Sequence, residues 1–316
     1  MNWRPTATRA ALERRAQMLA AARQFFASRG VLEVDTPVVV NAAVTDVHIH
    51  SAEVRFPYSD GRYFLHTSPE YAMKRLLAAG CGDIFQICHV VRGLERGRLH
   101  NAEFTLVEWY RLGFSLQQLM DEVATLVNEI RCRSSDFPAP EFLTYREAFL
   151  RELDFDPYEA SLEKLQRAAT ASGFKSANRD ELLDFLMATD VGPKLGRGEL
   201  TFIHRYPASQ AALAQLDPDD SRCALRFELY CNGIELANGF KELTAGAEQR
   251  ARFHRDRQER RRQGLPDINI DENLLAALDS GLPDCAGVAL GFDRLVMIAS
   301  GAQHIDEVLP FPIERS

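Results

Sequence analysis

The sequence lacks a long hydrophobic run, closely paired cysteines and the glycine-rich loops of common nucleotide sites. Even the apolar stretch at residues 288–299 is interrupted by Asp293 and Arg294, so neither a membrane span nor a membrane partner is predicted. The six cysteines contain no CxxC pair, and we expect no secretory leader, which favours a reducing cytoplasm over a secreted, zinc-ribbon or thioredoxin-like protein. GxGxxG and GxxxxGK[ST] are absent, which argues against Rossmann and P-loop sites.

What the sequence does contain is typical of a globular protein. Its 316 residues are 46% hydrophobic and 26% charged, which is enough to bury a full core. The formal net charge of −8 argues against a surface built mainly to hold nucleic-acid phosphates. The arginine-rich segment at residues 9–29 has apolar residues at helical spacing, so we interpret it as a structural helix and not as a targeting peptide.

The order of the predicted elements indicates the fold class. Strand-like and helix-like segments follow one another without a βαβ rhythm, which predicts an α+β protein with a central antiparallel sheet flanked by helices. We expect the first helix to end at Gly30, and one strand to follow over residues 31–40 with Pro37 at an edge or bend. Residues 1–316 are treated as a single domain.

A hairpin and a helical region complete this outline. Asn232-Gly233 predicts a tight turn between strands at 226–230 and 233–238. Residues 145–205 carry no recognisable motif and are interpreted as a helical insertion. The other expected elements are strands at 63–66, 84–91 and 103–111, helices at 70–79, 115–131 and 247–263, and a strand passing into a helix over 287–298.

The first chemically informative segment is a polar loop after an apolar strand. Arg92 ends the strand and is followed by several further donors, namely Arg96, Arg98, His100 and Asn101. An arginine fork binds phosphate through two hydrogen bonds, and a loop of donors can close over a polyphosphate. A solvated hairpin is the alternative interpretation of the same residues.

The second segment places carboxylates on both sides of the predicted hairpin. Glu228 and Glu235 flank the turn on paired strands, so they could together hold Mg²⁺ while the ion keeps waters and substrate phosphates. Exposed positions on an edge hairpin are the alternative. Glu235 lies in a mostly apolar run, however, where a carboxylate is costly unless it is paired or metal-bound.

The third segment is a glycine-rich strand that leads into a helix. Gly287 and Gly291 permit a flat ligand to approach the backbone closely. Arg294 lies where the helix begins, and a phosphate group can bind near that positive end.

In this order the three segments resemble the signature of class II aminoacyl-tRNA synthetases, and the resemblance covers nearly the whole chain. Residues 30–39 are similar to the first motif of that class, residues 92–108 to the second and residues 287–298 to the third. The fold implied is the catalytic domain of that class. It is most similar to that of lysyl-tRNA synthetases, through Ser68-Pro69-Glu70, His100-Asn101-Ala102-Glu103-Phe104, Glu108-Trp109-Tyr110 and Glu235-Leu236-Ala237-Asn238-Gly239-Phe240-Lys241-Glu242.

A closer resemblance is to the bacterial lysyl-tRNA synthetase paralogues that modify translation elongation factor P. It rests on Val107-Glu108-Trp109-Tyr110, Tyr206-Pro207-Ala208-Ser209-Gln210, Pro283-Asp284-Cys285 and residues 287–291. The resemblance implies a ligase that activates an amino acid with ATP and Mg²⁺ and transfers it to a lysine ε-amino group of elongation factor P. It also implies a homodimer formed through the first motif.

The resemblance further implies a nucleotide site. Arg92 and Arg294 are the expected catalytic residues, one on the α-phosphate and the other on the γ-phosphate, and Glu228 with Glu235 are the expected Mg²⁺ ligands. The implied ATP-binding residues are Arg92, Gly93, Leu94, His100, Asn101, Glu235, Leu236, Gly291 and Arg294. The usual Arg-x-Glu pattern is not kept, because Leu94 stands where the adenine-reading glutamate belongs; whether Glu95 replaces it is left open.

An amino-acid site is implied beside the nucleotide. Its expected residues are Ser68, Pro69, Glu70, Glu108, Tyr110, Asn238, Glu242 and Ala289. An ammonium group has three donors and no acceptor, so carboxylate and phenol oxygens should surround it, and without a cation those carboxylates should resist ionisation. Lysyl-tRNA synthetases have glycine where Ala289 stands. The added methyl group would crowd an α-amino group, which predicts (R)-β-lysine in preference to α-lysine.

Fewer than 30 residues precede the first motif, where lysyl-tRNA synthetases carry an anticodon-binding β-barrel, so tRNA anticodon binding is not expected. Two alternatives remain. A truncated lysyl-tRNA synthetase-like ligase could act on tRNA or a small molecule, although asparagine-type enzymes would carry basic residues at Glu108 and Glu242. An inactive regulatory module has no reason to keep both phosphate arginines and a metal pair.

The arginine-rich helix at 250–262 is interpreted as a solvated face, with docking of an acidic partner or nucleic acid as the alternative.

Overall fold

A computed structural model of the chain describes residues 3–93, 95–131 and 137–316. The strands are β1 Leu32–Glu33, β2 Val39–Val40, β3 Glu53–Val54, β4 Tyr63–Leu65, β5 Ile84–Val91, β6 Glu103–Leu112, β7 Glu141–Thr144, β8 Thr201–Pro207, β9 Cys223–Cys231, β10 Ile234–Lys241 and β11 Cys285–Gly291. The α-helices are α1 Arg9–Ser28, α2 Glu70–Ala78, α3 Leu116–Ile130, α4 Tyr145–Leu153, α5 Leu162–Ala171, α6 Arg179–Leu186, α7 Gly246–Arg262, α8 Glu272–Gly281 and α9 Phe292–Ser300. None of the described helices is both long and apolar enough to cross a membrane.

Eight of the strands form one mixed sheet in the order β1-β5-β6-β11-β10-β9-β8-β7, and β2, β4 and β3 form a second, small sheet. Within the large sheet the neighbouring strands from β5 to β8 are antiparallel, whereas the two outermost pairs are parallel. The expected α+β fold with a central, largely antiparallel sheet flanked by helices is therefore confirmed.

The prediction of a single strand over residues 31–40 is wrong. Leu32 and Glu33 pair with β5 at the edge of the large sheet, whereas Val39 and Val40 pair with β4 in the small one. Pro37 lies between the two short strands, and because proline has no N–H it cannot continue a ladder. The chain therefore leaves one sheet before it enters the other.

Two turns form as their residues predict. Gly30 follows the end of α1 with a left-handed φ of 68°, the conformation that favours glycine after a helix. In the β9–β10 hairpin, Asn232 and Gly233 both have positive φ, 51° and 72°, as a two-residue turn between twisted strands requires. The hairpin sets the register of the two strands that carry Glu228 and Glu235.

The side chains of β6 alternate between two environments. Val107 and Trp109 are fully buried in the main hydrophobic core, together with residues of α1, α3 and α9. Glu108 and Tyr110 point to the opposite face, because successive side chains of a strand alternate. Burying one face under helices thus leaves the polar side chains of the same strand on the other face.

The start of α9 is fixed by a buried polar contact with α1 and β6. Asp293 forms an ion pair with Arg15 and accepts a hydrogen bond from the N–H of Thr105 at 2.7 Å. Arg15 also donates to the hydroxyl of Thr105 at 2.6 Å. Since Asp293 immediately precedes Arg294, this contact fixes the backbone from which Arg294 extends.

The helices α4, α5 and α6 pack around a separate buried cluster. That cluster extends onto the sheet through Ile203, Tyr206 and Tyr230. Residues 201–205, which lie inside the expected helical range, belong to β8 of the main sheet. That residues 145–205 are an insertion stays a prediction.

Candidate active site

One row of residues crosses five neighbouring strands at the centre of the large sheet. From β5 to β9 the directly opposed residues are Gln86, Glu108, Ala289, Asn238 and Glu228. Opposed residues share a face of the sheet, so all five side chains project to the same side. Four of the five are predicted site residues, and strand register alone brings them together.

An open cleft lies over this face. Its lining includes most of the predicted nucleotide residues and two predicted amino-acid residues, namely Arg92, His100, Asn101, Glu235, Leu236, Asn238, Ala289, Gly291 and Arg294. Gly93 does not line it; its N–H donates to the carbonyl of His50 at 2.8 Å. Leu94 lies outside the described residues, so its expected place at the adenine stays a prediction.

Arg92 and Arg294 enter the cleft from two different elements. Arg294, at the start of α9, donates to the Glu235 carbonyl at 2.9 Å, and its guanidinium lies 2.6 Å from His100 Nε2. Arg92, after β5, donates through Nε to the Thr67 carbonyl at 3.3 Å and lies 3.6 Å from Glu95. Among the described residues no other hydrogen bond involves the Arg92 guanidinium, and its contact with Glu95 is made through Nη1.

His100 and Asn101 hold the loop in different ways. Burial and then the charge of Arg294 lower the pKa of His100, so the ring is neutral at pH 7 and its Nε2 accepts from Arg294. The Asn101 amide donates to the Glu103 carbonyl at 2.7 Å and accepts from the N–H of Ile313 at 3.1 Å. The side chain of Asn101 therefore fastens the loop to a distant segment, which the sequence did not indicate.

Glu228 is already engaged by protein donors. Its Oε1 accepts from Arg226 at 2.6 Å, and its Oε2 accepts from the hydroxyls of Tyr206 and Tyr230 at 2.6 and 2.7 Å. Sequence reasoning missed Arg226, although a basic residue two positions before Glu228 on a strand shares its face and could have indicated the pair.

Glu235 is the less occupied of the two expected metal ligands. Burial and then the charge of Glu228 raise its pKa, and its carboxylate lies 3.6 Å from Arg294. The two carboxylates offer only oxygen ligands, and Mg²⁺ binds well through one or two carboxylates plus waters and phosphates. The described residues contain no group of three or more side chains that could hold a metal ion. Glu235 is the freer of the two to hold Mg²⁺, because both oxygens of Glu228 already accept hydrogen bonds from protein donors.

A second polar cluster lies beside the row, at Glu108. Its Oε1 accepts from the Tyr110 hydroxyl and its Oε2 from the Ser68 hydroxyl, both at 2.8 Å. Ser68 in turn accepts from the N–H of Glu70 at the start of α2, immediately after Pro69. Burial, followed by the charge of Glu70, raises the pKa of Glu108 to about 8. For Glu108 the direction of this shift agrees with the expected resistance to ionisation.

The cluster contains a cation that sequence reasoning missed. Lys74 is almost completely buried, and its Nζ lies 2.6 Å from both Glu70 Oε1 and Glu242 Oε2. Burial raises the pKa of Glu242 to about 7, against the lowering effect of Lys74. The spacing of four residues between Glu70 and Lys74 on one helix is the signal that could have found this pair.

Two further positions shape the floor of the site. A Cβ atom at Gly287 would lie 2.3 Å from the ring of Tyr110 and 2.5 Å from Glu242 Oε1, so only glycine fits there. Gln86 is buried, and neither polar atom of its amide has a hydrogen-bond partner among the described residues. Sequence reasoning did not single out Gln86, whose place in the row depends on its pairing with Glu108.

The fold and the site together define a catalytic domain of the class II synthetase type. Residues 1–315 match the family described as tRNA synthetases class II (D, K and N). The chain belongs to this family.

Two similar proteins are more specific. The chain is 48% identical over 325 residues to the elongation factor P--(R)-beta-lysine ligase of Klebsiella pneumoniae (strain 342), covering 100% of this chain and 98% of that protein. It is also 48% identical over 324 residues to the protein of the same name from Salmonella typhi, with the same coverage.

The raised pKa of Glu108 predicts a pH-dependent stability. Because the folded-state pKa of about 8 exceeds the ordinary 4.5, this group stabilises the fold fully below about pH 4.5 and the stabilisation is lost as the pH rises to 8. From pH 5 to pH 8 the loss is on the order of 4 kcal/mol. Glu108→Gln should flatten this fall in the free energy of unfolding, measured by denaturant titration. Glu163→Gln, at an exposed helix position, is the control, and an unchanged slope in Glu108→Gln would contradict the assignment.

Proposed function

We propose that this chain is an ATP-dependent ligase that activates (R)-β-lysine as an aminoacyl-adenylate and transfers it to the ε-amino group of a lysine in translation elongation factor P. The observation that carries this proposal is the row in which Ala289 lies between Glu108 and Asn238. It joins a carboxylate cluster suited to ammonium groups to a cleft lined by Arg92 and Arg294. The names of the two relatives supply the acceptor and the amino acid.

In the first step a carboxylate oxygen of the amino acid attacks the α-phosphorus of ATP. The new O–P bond forms as the bond to the β-phosphate oxygen breaks, and pyrophosphate leaves. The attacking carboxylate is already ionised at pH 7, so the site needs to position the reactants and stabilise charge rather than remove a proton. Arg92 would bind the α-phosphate and Arg294 the γ-phosphate, each through the planar fork of a guanidinium.

The proposal includes Mg²⁺, with Glu235 and Glu228 as its expected ligands. The carboxylates supply the oxygen ligands described above, and the ion when bound would neutralise charge on the phosphate oxygens. His100 keeps its own role at Arg294, since its neutral ring accepts the guanidinium hydrogen bond without adding a positive charge. The side-chain amide of Asn101 is not free for a ligand, because it holds the loop after Arg92 through hydrogen bonds to Glu103 and Ile313.

The amino acid would be selected by its two ammonium groups. Glu108, Tyr110 and Glu242 would surround the side-chain ammonium, and Glu70 with Ser68 would bind the other amine. A bound cation favours the ionised form of Glu108 and Glu242, so binding would lower the raised pKa of both carboxylates. A neutral amino acid of the same size would leave these carboxylates buried without a counter-charge, which disfavours it.

In the second step the neutral ε-amine of the acceptor lysine attacks the carbonyl carbon of the adenylate. The amide C–N bond forms, the C–O bond to AMP breaks, and the nitrogen releases a proton. We propose that this reaction takes place in the cytoplasm.

The competing acceptor is tRNA, and one assay separates the two. Incubated with ATP, Mg²⁺ and (R)-β-lysine, the protein should add one β-lysyl group to elongation factor P and leave tRNA uncharged, as read by mass spectrometry. Omission of ATP or chelation of Mg²⁺ should abolish the product, and Arg294→Lys should lower kcat/KM for ATP about a hundredfold because it loses the fork. Charged tRNA with an unmodified factor would overturn the proposal.

The methyl group of Ala289 should set the choice between the two lysine isomers. Ala289→Gly is expected to shift the ratio of kcat/KM values towards α-lysine by about tenfold, since one methyl group in a pocket changes discrimination by about 1–3 kcal/mol. The measurement is pyrophosphate exchange with each isomer. Ala286→Gly, a fully buried position on the same strand but on its opposite face, controls for loss of strand stability. Wild-type preference for α-lysine would refute the proposed substrate.

A homodimer is proposed from the first motif. Leu32 and Val38 are large apolar residues in that segment, and each is about half exposed in the single chain. Burying such residues against a second copy is favourable. Light scattering should give the mass of two chains, and a monomer at micromolar concentration would contradict the proposal.

A further inference from the structure

Lys74 is an ammonium group built into the amino-acid pocket by the protein itself. It extends from α2, with a side chain only 1% exposed, and bridges Glu70 of the same helix and Glu242 after β10. A buried lysine normally loses its charge, yet the two carboxylates raise its pKa, so the ammonium form persists. The bridge ties the helix that carries Glu70 to the end of the strand that carries Glu242.

The bridge also distinguishes the two carboxylate oxygens of Glu242. Oε2 of Glu242 forms the ion pair with Lys74. Oε1 lies close to Gly287, since a Cβ atom added there would be 2.5 Å from Oε1 and would also touch the ring of Tyr110. Oε1 therefore points over the floor of the site, towards Tyr110, whose hydroxyl donates to Glu108. Without Lys74, nothing else among the described residues forms an ion pair with Glu242.

The charges of the pocket match a diamino acid only when Lys74 is counted. Glu70, Glu108 and Glu242 carry three negative charges when ionised, and Lys74 reduces the total to two. Two is the number of ammonium groups on a diamino acid whose carboxylate reacts with ATP. Buried charges need partners, because an unpaired one costs several kcal/mol.

We propose that Lys74 is a positioning and specificity-determining residue, which favours the ionised form of Glu242 with Oε1 directed at the substrate and sets the pocket to accept two ammonium groups. This inference rests on the proposed function, because it takes the ligand to be a diamino acid. Lys74 does not touch the reacting atoms and acts through Glu242 and Glu70.

The other charged or titratable groups around the bridge do not replace Lys74. On β6 these are Glu108 and Tyr110, and on β11 Cys285, whose thiol has a pKa raised to about 12 by burial. Lys241 lies next to Glu242 in sequence, but its Nζ is bound to Asp284 at 2.7 Å and to the carbonyl of Phe114. On α2, Tyr71 is kept protonated by burial.

The first test is the pH profile of amino-acid activation in Lys74→Met, which keeps the length of the side chain without its charge. Loss of the ammonium should raise the pKa of Glu242, so the acidic limb of kcat/KM for (R)-β-lysine should move up by about one unit. At pH 7 the KM should rise about fivefold and should approach the wild-type value near pH 9. The KM for ATP should stay within about twofold. A uniform loss at every pH would show a merely structural role and overturn the proposal.

Two variants control this result. Lys74→Arg retains the charge and should restore the wild-type position of the acidic limb even where packing lowers kcat. Lys194→Met removes a half-exposed lysine that pairs with Glu152 in the helical region, and should leave the profile unchanged. A shifted profile in Lys194→Met, or none in Lys74→Met, would refute the inference.

The second test needs no substrate. Because the pKa of Glu242 is raised in the folded protein, the protonated carboxyl group stabilises the fold at low pH, and this stabilisation is lost as the pH rises. Removing Lys74 raises the pKa of Glu242 further, so more stability is lost at high pH. The difference in Tm between wild type and Lys74→Met should therefore be small at pH 5 and grow by pH 8. A constant difference, or a variant that is unfolded even at pH 5, would overturn the proposal.

The two tests separate this inference from the proposed function. If another amino acid proves to be the substrate, the proposed function fails, while the pH-dependent difference in Tm still reports the charge of Lys74. If (R)-β-lysine is the substrate and neither the profile nor the Tm difference responds to pH, only the role of Lys74 is rejected.

Discussion

The register of the antiparallel strands is the constraint on which the site depends. Each ladder from β5 to β9 fixes which residues oppose one another, and a slip of one position would turn every side chain of a strand to the other face. Trp109 would then enter the cleft and Glu108 the main core, which is costly in both directions. The hydrophobic packing under the sheet therefore holds the polar row above it in place.

On this shared floor the protein keeps two opposite charge environments apart. Arg92 and Arg294 line the cleft over the row, whereas the carboxylates of Glu70, Glu108 and Glu242 form the separate cluster beside it. Each charge group is compensated within its own environment, Glu228 by Arg226 and Glu242 by Lys74. Internal partners of this kind allow the unliganded protein to bury ionisable groups that would otherwise destabilise it.

The fold and much of the site follow from local patterns in the sequence. The hairpin turn at Asn232-Gly233, the strand-to-helix transition before Arg294 and the loop after Arg92 are short-range signals, and each forms as predicted. Contacts between distant segments were not accessible in this way. Lys74 meets Glu242, and Asn101 meets Ile313, only after the elements have packed. The strand predicted over 31–40 failed for a related reason, because Pro37 marks a break but does not say that the two halves join different sheets.

The pairing of β6 with β11 has a consequence for how the protein folds. Glu108 and Ala289 are opposed in the sheet but lie about 180 residues apart in the sequence, so closing that ladder carries a high entropic cost and is expected to be slow. During synthesis β6 has no partner on that side until β11 leaves the ribosome. In that interval the hydrogen-bonding edge of a long apolar strand is open to other chains, and the nascent protein is the form most exposed to aggregation.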